Sequence, residues 1–189
     1  MTSHYLLNSL QSVPLASATE EQASILNKAQ KQVGFIPNMY SNMVNLPAIL
    51  DSYLHGYDLF RQQSDLSPDE QEVVFLAVSK ANDCRYCMAA HSTLAANFSG
   101  VTEEVLTAIR NGEVINDSKL AALYAMAVEV NDSQGRPADN IVKAFLHQGY
   151  TETHLLAIIL AVSVKVLSNY SNHLFDTEVD KVFSAYKVD

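Results

Sequence analysis

The chain contains two cysteines, and they stand three residues apart in "ANDCRYCMAAHSTLAAN" (residues 81–97), with a histidine four residues after the second. Three chemistries use such a spacing: a redox-active dithiol, part of a zinc site, or two small core residues without a role. On an ideal helix at about 100° per residue, Cys84, Cys87 and His91 project from one face. His91 lies about 6 Å along the axis from Cys87 and nearly two turns from Cys84, so the histidine serves Cys87 better. A thiolate is the reactive form of cysteine, and a nearby base or cation makes it accessible at neutral pH. Cys84 sits one turn away, at a separation that meets disulfide geometry (about 4.4–6.8 Å between Cα atoms). Asp83 is placed to cap the helix and to put Cys84 in its first turn, where backbone N–H groups favour an anion.

A histidine in this role needs an orienting partner. Glu72 is the candidate, because it stands among Val73, Val74, Phe75, Leu76 and Val78 and so faces burial. A carboxylate there has a raised pKa unless it is paired, and is a candidate proton acceptor. The turn before Cys84 is short, which predicts an antiparallel helix pair with Glu72 brought to the Cys/His face.

Helix signals run through the rest of the chain, and no convincing period-2 strand pattern does. Ser17 or Thr19 caps a first helix that Gly34 stops, and Pro37 breaks the pattern. Asn45 caps a helix with Pro47 in its first turn. Ser67 and Glu70 form a capping box, with Pro68 at the first helical position. Thr102 and Gly112 bracket a short helix, "NDSKLAALYAMAVEV" is the next, and others follow from Pro137 and near Thr151. The last, "LLAIILAVSVKVL" and its flanks, is apolar nearly all round and belongs at the centre of a bundle. The expected architecture is all-α: a single-domain multi-helix bundle, with residues 1–16 as an N-terminal extension, 17–189 as the helical domain and the redox motif at 72–91.

The 189 residues suit one domain, at 48% hydrophobic and 17% charged. A net charge of −9, with no basic cluster, argues against nucleic acid. The longest apolar stretch, Leu155 to Leu167, is shorter than the roughly 20 residues of a bilayer span, so no membrane partner is expected. No secretory signal pattern is visible, and a cytoplasmic location follows as the expectation, where a disulfide is more often catalytic than structural. No dinucleotide or phosphate-binding loop motif is present, so no cofactor is expected, and no metal in the favoured reading.

Glu72, Cys84-x-x-Cys87 and His91, within "EVVFLAVSKANDCRYCMAAHSTLA", resemble the active-site pattern of the AhpD-like alkylhydroperoxidases of the carboxymuconolactone decarboxylase superfamily. The upstream "GFIPNMYSNMVNLPAIL" resembles the peroxidase-related branch, and the likeness covers roughly residues 30 to 185. The resemblance implies an AhpD-like all-helical homo-oligomer that reduces hydroperoxides. Cys87 would attack the peroxide and Cys84 would resolve, with Glu72 and His91 as proton relay. Reducing equivalents would come from an external dithiol or a partner protein. The better-known members carry a histidine where this chain has Tyr86, so the relay here is shorter, or uses water or the phenol as a donor. Members that decarboxylate are not characterised by the dithiol.

Tyr86 and Met88 are candidate pocket walls, and Asn172 or His173, in the polar end "SNYSNHLFD" of the apolar helix, is a candidate pocket or subunit contact. His55, His147, His154 and, as the alternative to a pocket role, His173 are assigned to the surface or an interface. Two other classes stay open at this stage: a non-catalytic dithiol redox sensor or helical interaction protein, and a zinc-binding structural protein using Cys84, Cys87, His91 and Glu72.

Overall fold

The computed structural model describes residues 6, 7 and 9–188, and its described residues form helices and loops without a strand. In chain order the helices are α1 (Glu20–Val33), α2 (Asn38–Met43), α3 (Pro47–Gln63), α4 (Pro68–Ala81), α5 (Arg85–Leu94), α6 (Glu103–Asn111), α7 (Ser118–Asp132), α8 (Asp139–His147) and α9 (Glu152–Phe175). The all-α bundle read from the sequence is what the chain forms.

Helix starts follow the caps closely. The Thr19 hydroxyl accepts from the Gln22 N–H at 3.3 Å, and the Ser67 N–H donates to Glu70 Oε2 at 2.9 Å. Thr102 accepts from Val105 N–H, and Gly112 ends α6 in the left-handed region. Asn45 is not a cap. Leu46 holds the cap position of α3, and the Asn45 amide instead donates to the carbonyls of Gln11 and Asn42. The short α2 follows directly on Pro37, which ends one pattern and starts the next helix.

Helix α4 is buried from Glu70 to Ser79 and packs against α5, α7 and α9. Such burial on every side explains why its apolar pattern has so little periodicity. Helix α9 has 24 residues, longer than its apolar stretch suggested, and by length and hydropathy alone it is able to cross a bilayer. Inside the bundle it carries a buried polar row, Lys165, Ser168, Asn169 and Asn172, that a lipid-facing helix would not tolerate.

After α9 the chain turns back. Asp176 takes the left-handed conformation, and a 3-10 segment, Lys181–Tyr186, packs on α5. Asp180 accepts from the Asn38 N–H at 3.2 Å, Asn38 Nδ2 donates to the Glu178 carbonyl, and Arg110 Nη1 donates to the Tyr186 carbonyl at 3.0 Å. These bonds tie the C-terminal strap to α2 and α6, across α5. At the other end of the chain, the Val13 N–H donates to the Ser41 carbonyl at 2.8 Å, so the N-terminal stretch lies along α2.

Candidate active site

The α4–α5 turn sets the position of both cysteines. Asp83 adopts a left-handed φ of 52°, its N–H donates to the Lys80 carbonyl, and the Cys84 N–H donates to the Ser79 carbonyl. This pair of bonds is a Schellman closure of α4, with aspartate where glycine is usual. Asp83 therefore ends α4 and does not cap α5. Cys84 itself is the cap residue, so the helix starts one position later than the sequence suggested.

Cys84 and Cys87 are both reduced and buried. Asn172 Nδ2 stands between them, 3.4 Å from Cys87 Sγ and 3.8 Å from Cys84 Sγ, and Ser168 Oγ lies 3.8 Å from Cys87 Sγ. The polar end of α9 is thus the back wall of the dithiol. His173, the neighbouring candidate, is exposed and stacks on Tyr170 away from it.

Burial pushes the Cys87 thiol up. The hydrogen bond from Cys84 and the charge of Lys165, with a smaller contribution from His91, outweigh burial and hold Cys87 well below the ordinary thiol range. Cys84 moves well above that range, first because its proton is shared with Cys87 and second because it is buried. The two sulfurs are thus unequal, with Cys87 the readier to ionise and Cys84 the one that keeps its proton longer.

The antiparallel α4–α5 pair brings Glu72 to His91, as the short turn predicted. His91 Nδ1 lies 2.8 Å from Glu72 Oε2. The carboxylate is also paired with Arg61 Nη2, and Arg61 is held in turn by the Tyr57 hydroxyl at 2.7 Å and by the rings of Tyr57 and Phe75, each 4.8 Å away. Burial raises the Glu72 pKa, but the attraction of His91 and Arg61 prevails and lowers it. Glu72 is therefore an anion that accepts the Nδ1 proton and leaves Nε2 as the basic ring nitrogen. Burial, then the charge of Lys165, lowers the His91 pKa against the pull of Glu72, so the ring stays neutral at pH 7.

A cavity of about 700 Å³ opens onto this cluster. Cys87 and His91 line it; Cys84 does not. Phe35, Tyr40, Tyr53, Tyr57, Phe98 and Phe183 line its wall with aromatic rings, among aliphatic and polar neighbours. Burial raises the phenols of Tyr40, Tyr53 and Tyr57, so they are neutral donors in a cavity of low charge.

Tyr86 lines the cavity, and its hydroxyl donates to Asp180 Oδ2 at 2.5 Å, with Phe183 edge-on at 6.2 Å. Burial and then Asp180 raise the phenol, which serves as an anchor for the strap. Met88 is buried but does not line the cavity, whereas Met39 does. His154 is buried at the start of α9, where its Nδ1 accepts from the Thr151 N–H at 2.9 Å. The surface assignment therefore fails for His154, whose ring completes a capping box.

Two charged groups of this cluster escape sequence reasoning. Arg61 carries no local signal, because its pairing with Glu72 depends on how α3 meets α4. Lys165 had one: a lone lysine inside "LLAIILAVSVKVL". It is fully buried, and its ammonium has no hydrogen-bond partner among the described residues. Among those residues, no group of three or more His, Cys, Asp and Glu is arranged to hold a metal ion.

Residues 50–129 match the carboxymuconolactone decarboxylase family. No curated protein matches the chain. Among solved structures, a peroxidase-related protein of Ralstonia eutropha JMP134 with an alkylhydroperoxidase AhpD core superposes with a TM-score of 0.78 at 20% identity, covering 92% of this chain and 93% of that one. A peroxidase-related protein of Silicibacter sp. TM1040 gives 0.73 at 17% identity, covering 92% of each chain. The debrominase Bmp8 gives 0.76 at 16% identity, covering 95% and 96%, and its cysteine-to-alanine variant is known in complex with 2,3,4-tribromopyrrole. At these identities the structural likeness speaks for the fold.

Proposed function

We propose, from the match of residues 50–129 to the carboxymuconolactone decarboxylase family and from the AhpD-like fold, that the chain is a thiol-dependent reductase of organic hydroperoxides. The observation that carries the proposal is the inequality of the dithiol: Cys87, whose pKa is pulled down, lines the cavity beside His91, and Cys84, whose pKa is pushed up, does not. In the proposed cycle the Cys87 thiolate attacks the terminal peroxide oxygen and the O–O bond breaks. The leaving alkoxide takes a proton and departs as the alcohol. The Cys84 sulfur then attacks the Cys87 sulfenic acid, water leaves, and a disulfide forms. His91 Nε2 carries protons between Cys84 and the leaving oxygens, and Glu72 fixes the ring in that tautomer. An external dithiol reduces the disulfide. The aromatic wall favours an apolar organic peroxide over hydrogen peroxide.

The test is intact-mass analysis of reduced, metal-free protein before and after one equivalent of cumene hydroperoxide. Wild type should lose two hydrogens. Cys84→Ser should stop at a sulfenic acid that dimedone traps at Cys87, and Cys87→Ser should not react. A wild type that stays unoxidised, or first oxidation at Cys84, would overturn the proposal.

A second reading has its own support, the aromatic cavity together with the debrominase likeness. In it Cys87 takes a halogen from an electron-rich ring, the ring gains a proton, and Cys84 displaces halide to form the same disulfide. Bromide release from 2,3,4-tribromopyrrole, with no response to cumene hydroperoxide, would select it.

A further inference from the structure

Lys165 has no part in the cycle above, yet it lies beside it. It is fully buried on α9, and three and seven residues further along the same helix face, Ser168 and Asn172 touch the sulfurs. Its ammonium sits 5.5 Å from the ring centre of Phe75, and that ring lies 4.8 Å from the ring of His91. A buried ammonium without a counter-charge costs several kcal/mol. Of the carboxylates, Glu72 is the one within this cluster, and Arg61 and His91 already hold it. The remaining anion is the sulfur of Cys87.

We propose that Lys165 is the counter-ion of the Cys87 thiolate and that it biases the dithiol toward its reduced form. This rests on reading Cys84 and Cys87 as the reactive pair. Oxidation joins the two sulfurs, releases the Cys84 proton and passes two electrons to the oxidant. It also removes the anion and leaves the Lys165 charge alone in the core. The disulfide is therefore the strained state, and an incoming dithiol reduces it readily. The other titratable or charged groups facing Cys87 are Cys84 and His91 on α5, Glu72 with Arg61 behind the imidazole, and the neutral phenols Tyr40, Tyr53 and Tyr86. Lys165 alone brings an unpaired positive charge.

The test needs no peroxide, so its failure is distinguishable from failure of the proposed activity. Thiolate ultraviolet absorbance of the reduced protein is followed against pH, with Cys87→Ser to assign the signal. Wild-type Cys87 should ionise below neutrality. Lys165→Met, which keeps the chain length and removes the charge, should move the midpoint up by roughly one pH unit or more. Alkylation by iodoacetamide below neutral pH should slow about tenfold. In a glutathione redox buffer, where oxidised glutathione takes the two electrons, the variant's disulfide should be favoured about tenfold more, or ~30 mV. A role limited to packing would change stability and leave both the midpoint and this equilibrium in place, which would overturn the proposal. A wild-type Cys87 that ionises near the ordinary value of about 8.5 would overturn it as well, and that measurement requires no folded Lys165 variant.

Discussion

Glu72 is held from two sides, and its partners impose different requirements. His91 needs its charge so that Nδ1 keeps the proton, whereas Arg61 needs it to offset a guanidinium packed beside two stacked rings. Glu72→Gln preserves shape and removes both functions. We expect peroxide reduction to fall by about 10²-fold, within the range for losing a positioned acid–base group. Stability should fall by about 3 kcal/mol, because Arg61 is left largely buried without its anion. The two losses separate in the double variant Arg61→Met with Glu72→Gln. Denaturant unfolding should show most of the stability restored, while stopped-flow peroxide kinetics should stay slow. Recovery of both, or of neither, would contradict the division of labour. Tyr86 makes a related point. Its phenol proton is engaged by Asp180, so the residue anchors the strap, and in the proposed cycle proton transfer falls to His91.

Helix α9 reaches the dithiol because α3 lets it approach. Gly56 on α3 faces Val164, and a Cβ added there would stand 2.9 Å from Val164 Cγ2. Valine is stiff about χ1, so the contact is relieved only by moving a helix. Gly56→Ala gains about 1 kcal/mol in helix propensity and loses about 1–3 kcal/mol to overpacking. We expect net destabilisation of about 1 kcal/mol in urea unfolding, together with slower alkylation of Cys87, because Val164 adjoins Lys165. A variant stabilised by the full propensity gain would show that α9 yields freely. The same scale explains what the sequence disclosed. Caps at Thr19, Ser67 and Thr102 are local events between residues three apart, so element starts were legible. The Glu72–His91 pair was legible because one short turn joins its helices. Arg61 was not, since its place depends on the angle at which α3 crosses α4. Asp83 misled for a simple reason: aspartate suits both a helix cap and a left-handed turn, and closure of α4 took precedence.

The whole molecule brings together residues that spacing cannot. The back wall of the site comes from Ser168 and Asn172, more than 80 positions beyond Cys87, and its cover from Phe183 on a strap that had no helix signal. The same long-range assembly sets the response to acid. Glu70 opens α4, receives the Ser67 N–H, pairs with Lys119 of α7 at 2.8 Å and accepts the Tyr150 hydroxyl at 2.9 Å. Burial raises its pKa, but these partners, Lys119 foremost, lower it from 4.5 to about 2. The Glu72 pKa is lowered as well, and so is that of His91. For each of these groups the unfolded chain binds the proton more readily, so folding stability falls as pH falls. The His91 contribution declines first, below its unfolded value of about 6.5. The Glu70 contribution is complete above pH 4.5 and disappears as pH approaches 2. Glu70→Gln should therefore be less stable than wild type at pH 7, and the difference in unfolding free energy should close between about pH 4.5 and 2. Urea titrations of both proteins across that range measure it. A difference that stays constant would mean that Glu70 acts through packing and shape, and that its charge does not link α4, α7 and the start of α9.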